Sequence, residues 1–420
     1  MAIGYNTFMR GVGDHMSIGE RVAFYRVRRG LTQSVLASLV GRSEDWLSQI
    51  ERGQRQLRRT DVIIELAGAL RITPGDLIGH PVLVEDDEEN DDVPAVRDAL
   101  MTPRRLSRVL FGAATPSPDI PPDRAAQLVE RGWSDYQRGR LGRVISVLPG
   151  LIKTVQQFED DSSLDGDIRR RGWAISARTH HLAATTLSKI GEADLAWIAA
   201  ERAMQAADNA DDPLVLASAA RAGTHALLAV GRFDDALELG NTAAVWLTPR
   251  LAESDPAALS LFGMLHLRAA VAAARHHDRV TARDLLRRAA VAAAALGEDA
   301  NYWQTGFGPT NVEVHRVSAA LDLGDVAYVV EHGPEVTVDH LPAERAVSHM
   351  VDVARALSLV AQDSEALQRL LAAEQAAPQL VHHSPVVRET VRAMHRRAPV
   401  TGGWKSSPLL GLAERCRAVQ

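Results

Sequence analysis

The stretch that decides the fold is Leu31-Thr32-Gln33-Ser34-Val35-Leu36-Ala37-Ser38-Leu39-Val40-Gly41-Arg42-Ser43-Glu44-Asp45-Trp46-Leu47-Ser48-Gln49-Ile50-Glu51-Arg52-Gly53. Its spacing predicts two short helices meeting at an angle. Thr32 suits an N-cap, because its hydroxyl accepts an orphan backbone N–H. Leu36, Ala37 and Val40 share one face of the helix that follows. Gly41 ends that helix where a left-handed residue is needed. Ser43 caps the second helix, with Glu44 and Asp45 in its first turn, where the helix dipole favours negative charge. Leu47 and Ile50 point inward and Gly53 closes the helix. Two helices crossing steeply need a small side chain where they meet, and Ala37 supplies it. An ordinary helical hairpin is the plainer alternative.

The motifs L-T-Q-x-x-x-A-x-x-x-G and S-x-x-x-L-S-x-I-E-R-G make this stretch similar to the phage-repressor-type helix-turn-helix family often called XRE. The resemblance runs roughly from Ser17 to Leu83. It implies a five-helix DNA-binding domain with Ser43 to Arg52 as the recognition helix. It further implies that Ser43, Glu44, Asp45, Trp46, Ser48 and Gln49 lie at the base-facing surface, with Gln33 and Arg42 beside them. Arg42 departs from the family, which usually has an apolar residue there; its stem is expected over the core with the guanidinium reaching a phosphate. Glu44 and Asp45 either accept from a cytosine amine or merely favour the dipole.

Around this stretch, Ile18 to Arg29 reads as the first helix. Its stripe is Ile18, Val22 and Tyr25, and its basic edge is Arg21, Arg26, Arg28 and Arg29. After the recognition helix come Arg52, Arg55, Arg58 and Arg59, clustered beside one phosphate run. An amphipathic helix through Val62, Ile63, Leu66, Ala67 and Leu70 follows, and Thr73 to Leu77 starts a last short one. Residues 1–16 read as a flexible lead-in and 17–84 as the DNA-binding domain.

The 420-residue chain carries a formal charge of −6, so any basic surface must be local. Lysine accounts for only three of the 47 basic residues, Lys153, Lys189 and Lys405; with the alanine-rich runs this looks like a high-GC, actinobacterial genome. Cys416 is the sole cysteine, which excludes an internal disulfide and a cysteine zinc site and fits a reducing cytoplasm. No apolar run reaches the ~18 residues a membrane span requires, so no membrane role is expected. Residues 85–122 read as a linker. Glu85 to Asp92 holds seven acids in eight residues, which repel and extend; the sharper alternative is competition with DNA for the arginine face. Helical material follows, and Thr115 to Pro122 is stiffened by proline.

From residue 123 to 420 the pattern is helical and repeats. Short turns preceding an alanine-rich helix recur at Gly139, Gly191, Gly231, Arg275-His276-His277-Asp278, Gly324 and Ala361, about 38 to 52 residues apart. Each unit is a helical hairpin that buries its apolar face only by stacking on neighbours. Gly231-Arg232-Phe233-Asp234-Asp235-Ala236-Leu237 resembles a tetratricopeptide turn, so the array is expected to be a tetratricopeptide-like superhelix. Trp133, Trp173, Trp197 and Trp246 are read as packing anchors.

Asn301 to Val312 breaks the alanine pattern with amides, aromatics, glycines and a proline. Asn301, Trp303, Phe307 and Asn311, with His315 and Arg316 one turn on, make either a ligand site or an ordered inter-repeat loop. The adjacent pairs His180-His181, His276-His277 and His382-His383 are poor chelates, because neighbours on a helix point about 100° apart; no metal or cofactor is expected. No catalytic signature appears.

The chain thus reads as all-α: a five-helix helix-turn-helix domain plus a helical-hairpin superhelix. The expected function is a cytoplasmic, nucleoid-associated transcription regulator and not an enzyme. It binds double-stranded DNA, at a palindromic operator, as a homodimer, and its repeats sense a signalling peptide or small molecule. In architecture it is similar to peptide-sensing helix-turn-helix and tetratricopeptide regulators of Gram-positive bacteria. The alternative is an interaction scaffold whose repeats bind a protein and whose first domain tethers it to DNA.

Overall fold

The computed structural model describes residues 17–28, 31–55, 57, 60–70, 77, 93–105, 120–161, 166–251, 255–398 and 407–418. Among these residues every regular element is helical, and the sole β feature is an isolated bridge between Ala300 and Phe307. The chain divides into two compact units, Met1–Thr102 and Pro103–Gln420. The lead-in, the acidic run, the Thr115 to Asp119 segment, Arg29, Arg58 and Arg59 lie outside the described residues.

The first unit contains α1 (Ile18–Arg28), α2 (Gln33–Leu39), α3 (Glu44–Glu51), α4 (Thr60–Leu70) and α5 (Val93–Leu100). Ser17 and Glu20 form a reciprocal capping box at α1: the Ser17 N–H donates to Glu20 Oε2 at 2.7 Å and the Glu20 N–H to Ser17 Oγ at 3.3 Å. This satisfies two backbone donors at once. Thr32 and Ser43 cap α2 and α3, each hydroxyl accepting a backbone N–H at 3.2 Å. The core is built from Val22, Leu36, Ala37, Leu47, Leu66 and Leu70 with their neighbours. Of the expected fifth helix, only Leu77 is described; it is helical and buried in that core.

Gly19 is a contact the sequence reading did not single out. A Cβ there would stand 2.0 Å from the Ile50 carbonyl oxygen, so only glycine lets α1 lie this close to α3. The expected basic edge of α1 is altered. Arg21 is buried and Arg26 is paired to Glu51, because the same face that carries them packs on α3.

The second unit is built of six consecutive hairpins. They are α6 (Pro122–Gln137) with α7 (Leu141–Asp160), α8 (Gly166–Lys189) with α9 (Ala193–Ala210), and α10 (Pro213–Ala229) with α11 (Phe233–Trp246). After the short α12 (Thr248–Leu251) come α13 (Pro256–Arg275) with α14 (Arg279–Leu296), α15 (Pro309–Asp322) with α16 (Val326–His332), and α17 (Ala343–Leu359) with α18 (Asp363–Ala376). Three further helices, α19 (Pro378–His382), α20 (Pro385–Arg397) and α21 (Pro408–Arg415), follow.

The six hairpin turns share one geometry. Gly139, Gly191, Gly231, His277, Gly324 and Ala361 all take positive φ. In each turn the next residue's N–H donates to the carbonyl five residues before it, at 2.8–2.9 Å, as in Arg232 to Leu227. This is the six-to-one bond of a Schellman turn, which absorbs carbonyls the helix end leaves unpaired. Gly41 and Gly53 of the first unit close α2 and α3 in the same way.

The array also returns on itself. The first hairpin packs against α17 and α19, and the Gly142 N–H donates to Gln379 Oε1 at 2.9 Å. A Cβ on Gly139 would meet that of Ala377 at 2.5 Å. The inner helices α6, α8, α10, α13, α15 and α17 therefore face a shared interior.

Two sequence expectations change here. Pro256–Arg275 is long and apolar enough to cross a membrane by composition, contrary to the reading that no run is. Most of it is buried by α10, α11, α14 and α15, so its apolar character fills a protein core. Trp133 and Trp173 are buried anchors, but Trp197 and Trp246 are exposed, at 38% and 63%. They sit on outer helices, where an alanine-rich neighbourhood in sequence does not mean burial.

Candidate DNA-reading face and the inner face of the repeats

Helix α3 buries Leu47 and Ile50 and turns its other face outward. Ser43, Glu44, Asp45, Arg52 and Arg55 are exposed, and Trp46, Ser48 and Gln49 are half-buried. Asp45 and Gln49 are joined, Gln49 Nε2 donating to Asp45 Oδ2 at 2.8 Å. Arg42 does not lie over the core as expected. It is exposed, with its guanidinium carbon 5.7 Å from the centre of the Trp46 ring, a cation–π contact. The guanidinium then sits beside the N-terminal end of α3. Arg52 Nε donates to the Ser48 carbonyl at 3.2 Å, which tucks its stem along the helix.

Gln33 belongs to a clasp below that face. Glu51 at the end of α3 accepts from Arg26 Nε at 2.6 Å, from Arg26 Nη2 at 2.8 Å and from Gln33 Nε2 at 2.6 Å. Arg26 Nη1 also donates to the Leu31 carbonyl at 2.9 Å. The motif residues Gln33 and Glu51 thus tie α2 to the end of α3 through α1, fixing the angle at which α3 is presented. Part-buried bidentate pairs of this kind are geometrically demanding.

In the second unit, the segment Asn301 to Gly308 turns inward. The Ala300 N–H donates to the Phe307 carbonyl at 2.8 Å, closing it as a loop. Asn301 exchanges two 3.0 Å hydrogen bonds with Gln137. Gln304 Nε2 donates to Glu130 Oε2 at 3.0 Å, and Arg178 donates to Gln304 Oε1 at 2.8 Å. Arg221 donates to the carbonyls of Trp303 and Gln304, at 3.0 and 3.4 Å. The Arg178 guanidinium carbon lies 4.9 Å from the Trp303 ring centre. A loop between the fourth and fifth hairpins therefore reaches the inner helices of the first three.

Trp303 and Gln304 both adopt positive φ, at 54° and 51°. Non-glycine residues there cost free energy that the surroundings must offset; Arg221 grips the backbone carbonyls of those same two residues, and Arg178 holds their side chains. Phe307 is wholly buried against α13, at a place where a Cβ on Gly263 would stand 1.9 Å from the ring. Asn311 is wholly buried too, and its Nδ2 donates to the Gly306 carbonyl at 2.8 Å.

The expected ligand set is thereby divided. Asn301, exposed, and Trp303, half-buried, tie the loop to the inner helices, whereas Phe307 and Asn311 fill the interior. Arg316 does not share their hollow; it is exposed and paired with Glu313 at 3.2 Å. His315 alone faces open space.

That space is a cavity of about 210 Å³ among the inner helices, bordered by Lys189, His225, Arg268, His315, Arg345 and Asp352. Lys189 Nζ lies 2.6 Å from Glu344 Oε1, and Arg345 Nη2 lies 3.5 Å from Glu344 Oε2. Burial works to raise the Glu344 carboxyl, but Arg345 and Lys189 outweigh it and hold the group well below the usual carboxylate range. Burial pushes Arg221 down to about 9 and Arg268 to about 10, with neighbouring arginines adding to the effect. Burial also holds His225 and His315 well below their ordinary value, so both are neutral at pH 7. Sequence reasoning missed Arg221, Arg268 and the Glu344-Arg345 pair. The available signal was charge embedded in alanine-rich stripes, as in Ala219-Ala220-Arg221-Ala222 and Leu267-Arg268-Ala269-Ala270.

The pair His180-His181 is buried and hydrogen-bonded within the helices. His180 Nδ1 lies 2.9 Å from the Ser176 carbonyl, and His181 Nδ1 lies 3.0 Å from Ser218 Oγ. No cluster suited to a metal ion occurs among the described residues.

Residues 17–80 match a family model described as a helix-turn-helix domain. No curated protein matches the chain. Among solved structures, Bacillus thuringiensis PlcR in complex with the peptide PapR7 and DNA is similar at 14% identity, over 67% of this chain and 95% of that one. The TM-score of 0.26 is below what a shared overall fold gives.

Proposed function

We propose that this chain is a sequence-specific DNA-binding transcriptional regulator with no catalytic step and no cofactor. Residues 17–84 bind the operator, 85–122 link, and 123–420 form a tetratricopeptide-like domain that senses an effector and dimerises. The observation that carries the reading is α3: capped, clasped at its end by Glu51, and exposing Glu44, Asp45, Arg52 and Arg55 within the matched helix-turn-helix segment. Such a helix presents its N-terminal residues to base edges in the major groove, while flanking arginines take phosphates. One copy spans one half-site, so specificity is assigned to a two-fold dimer on a palindrome with half-sites about one helical turn apart. The interior of the repeats, with its inserted loop and charged cavity, supports the sensing role.

The two compact units allow a direct test. A fragment of residues 1–102 is expected to keep weak DNA binding whose affinity falls steeply with salt, because its arginines release counterions from phosphates. Residues 103–420 are expected to bind none. Comparable DNA binding by the larger fragment, measured by fluorescence anisotropy across a salt series, overturns the assignment. A protein that co-purifies stoichiometrically with residues 103–420, with no effector response, moves the second unit to the scaffold reading.

A further inference from the structure

We propose that the cavity inside the second unit is a binding site for a compact anion of the phosphate or dicarboxylate class. This rests on the sensing role just proposed and names the chemistry of the effector.

The charges around the cavity do not balance. Lys189, Arg268, Arg275 and Arg345 all border it. Asp322 takes Arg275, with Nε–Oδ2 at 3.0 Å, and the single carboxylate of Glu344 is shared between Lys189 and Arg345. Asp352 is the remaining carboxyl on the wall, and burial raises its pKa, with Ser318 hydrogen-bonded to it. Arg268 is half-buried and feels the same Glu344 carboxylate only at longer range, with no hydrogen bond or ion pair of its own among the described residues. Arg345 is buried, and its Nε has no acceptor. Arginine stays charged in proteins, and Lys189, Arg268 and Arg345 drawing on the one Glu344 carboxylate leave positive charge only partly compensated beside the cavity. Two guanidinium groups aimed at one small space are stable together when an anion joins them.

The donors suit that class of ligand. Guanidinium forks match carboxylate and phosphate oxygens bidentately. His225, neutral at pH 7, can donate one N–H, whereas the single N–H of His315 is taken by the Asn311 carbonyl at 2.9 Å. Val271, Val314 and Val351 close the space with apolar surface and keep the local dielectric low.

Size separates a small molecule from a peptide. At about 210 Å³ the cavity is smaller than the roughly 300–1,000 Å³ of sites for drug-sized ligands. The inner surface of the first three hairpins, where an extended chain would lie, is taken by Trp303 and Gln304. The remaining volume suits an ion or a small organic acid.

The test uses the full chain without DNA, in thermal unfolding at constant ionic strength with inorganic phosphate or succinate replacing chloride. At least one of the two is expected to raise the Tm progressively with concentration, as binding to the folded state requires; which one does so assigns phosphate or carboxylate chemistry. Arg268→Gln is expected to weaken that response at least tenfold while leaving the anion-free Tm unchanged or higher, since it removes an unpaired charge. A merely structural arginine would instead lower the anion-free Tm. Arg345→Gln is the second variant, expected to weaken the response similarly. No response to either anion in the parent protein, or a full response in Arg268→Gln, overturns the proposal. Anion binding that leaves DNA affinity unchanged refutes the sensing role and not the site, whereas loss of the anion response leaves the DNA-binding reading untouched.

Discussion

Glu51 directs its charge inward. By taking Arg26 and Gln33 it removes two polar groups from the surface proposed to meet DNA, and under that proposal base reading falls to fewer side chains. Asp45 is engaged by Gln49, whereas Glu44 is exposed with no such partner among the described residues. A free carboxylate near the start of a recognition helix can accept from a cytosine N4 amine, and a matched contact discriminates by about 1–3 kcal/mol. Glu44→Ala is therefore expected to relax preference at one base position, and Arg55→Ala to weaken all sequences alike with a smaller salt slope. Affinities for a set of single-base operator variants decide; unchanged preference in Glu44→Ala removes the direct-readout role. The caps, Ala37, Leu47 and Ile50 were legible in the sequence, because each rests on local spacing or a local hydrogen bond. The Arg26–Glu51–Gln33 clasp was not. Its members are 18 and 25 residues apart, and nothing in the spacing says which arginine folds back and which meets phosphate.

At the scale of the element, one turn is used six times, and sequence decides its cost. Gly231 sits at φ 78° with nothing near the place of its missing Cβ, so backbone conformation alone selects glycine there. Ala361 occupies the same turn position at φ 60°, where an L-residue costs roughly 1 kcal/mol. Ala361→Gly is expected to stabilise the protein by about 0.5–1 kcal/mol, and Gly231→Ala to destabilise it by about 1 kcal/mol or more. Thermal unfolding of the two variants checks this, and a lowered Tm for Ala361→Gly refutes the strain argument. The repeats were readable because glycine or a short polar turn marks a helix stop wherever it occurs, including the two turns without glycine. The role of Asn301 to Asn311 was only half readable. Its composition ruled out continuous helix, but whether its aromatics point into an empty hollow or fill it depends on Arg178 and Arg221, more than 80 residues away.

At the scale of the whole molecule, closing the array turns polar side chains of the inner helices toward one another and away from water. His180, His181, His266 and His315 are each at most 3% exposed. Burial lowers all four: His266 to about 4, and the other three well below their ordinary value. The sign of the pH dependence follows. Below about pH 6.5 the unfolded chain binds a proton at each of these groups and the folded chain does not, so stability falls as the solution is acidified. A group that stays neutral in the folded chain withdraws up to about 1.4 kcal/mol for each pH unit below that point. Asp352, raised by burial, works in the opposite sense as one group against four. Glu344 keeps its contribution until far more acid conditions, because its pKa is depressed. Against a total stability of about 5–15 kcal/mol, the expected outcome is a Tm lower by roughly ten degrees or more at pH 5 than at pH 7.5. Several protons should be taken up on unfolding, as read from calorimetry in buffers of different ionisation enthalpy. A flat Tm across that range would mean that the histidines are hydrated and that the inner helices do not enclose them.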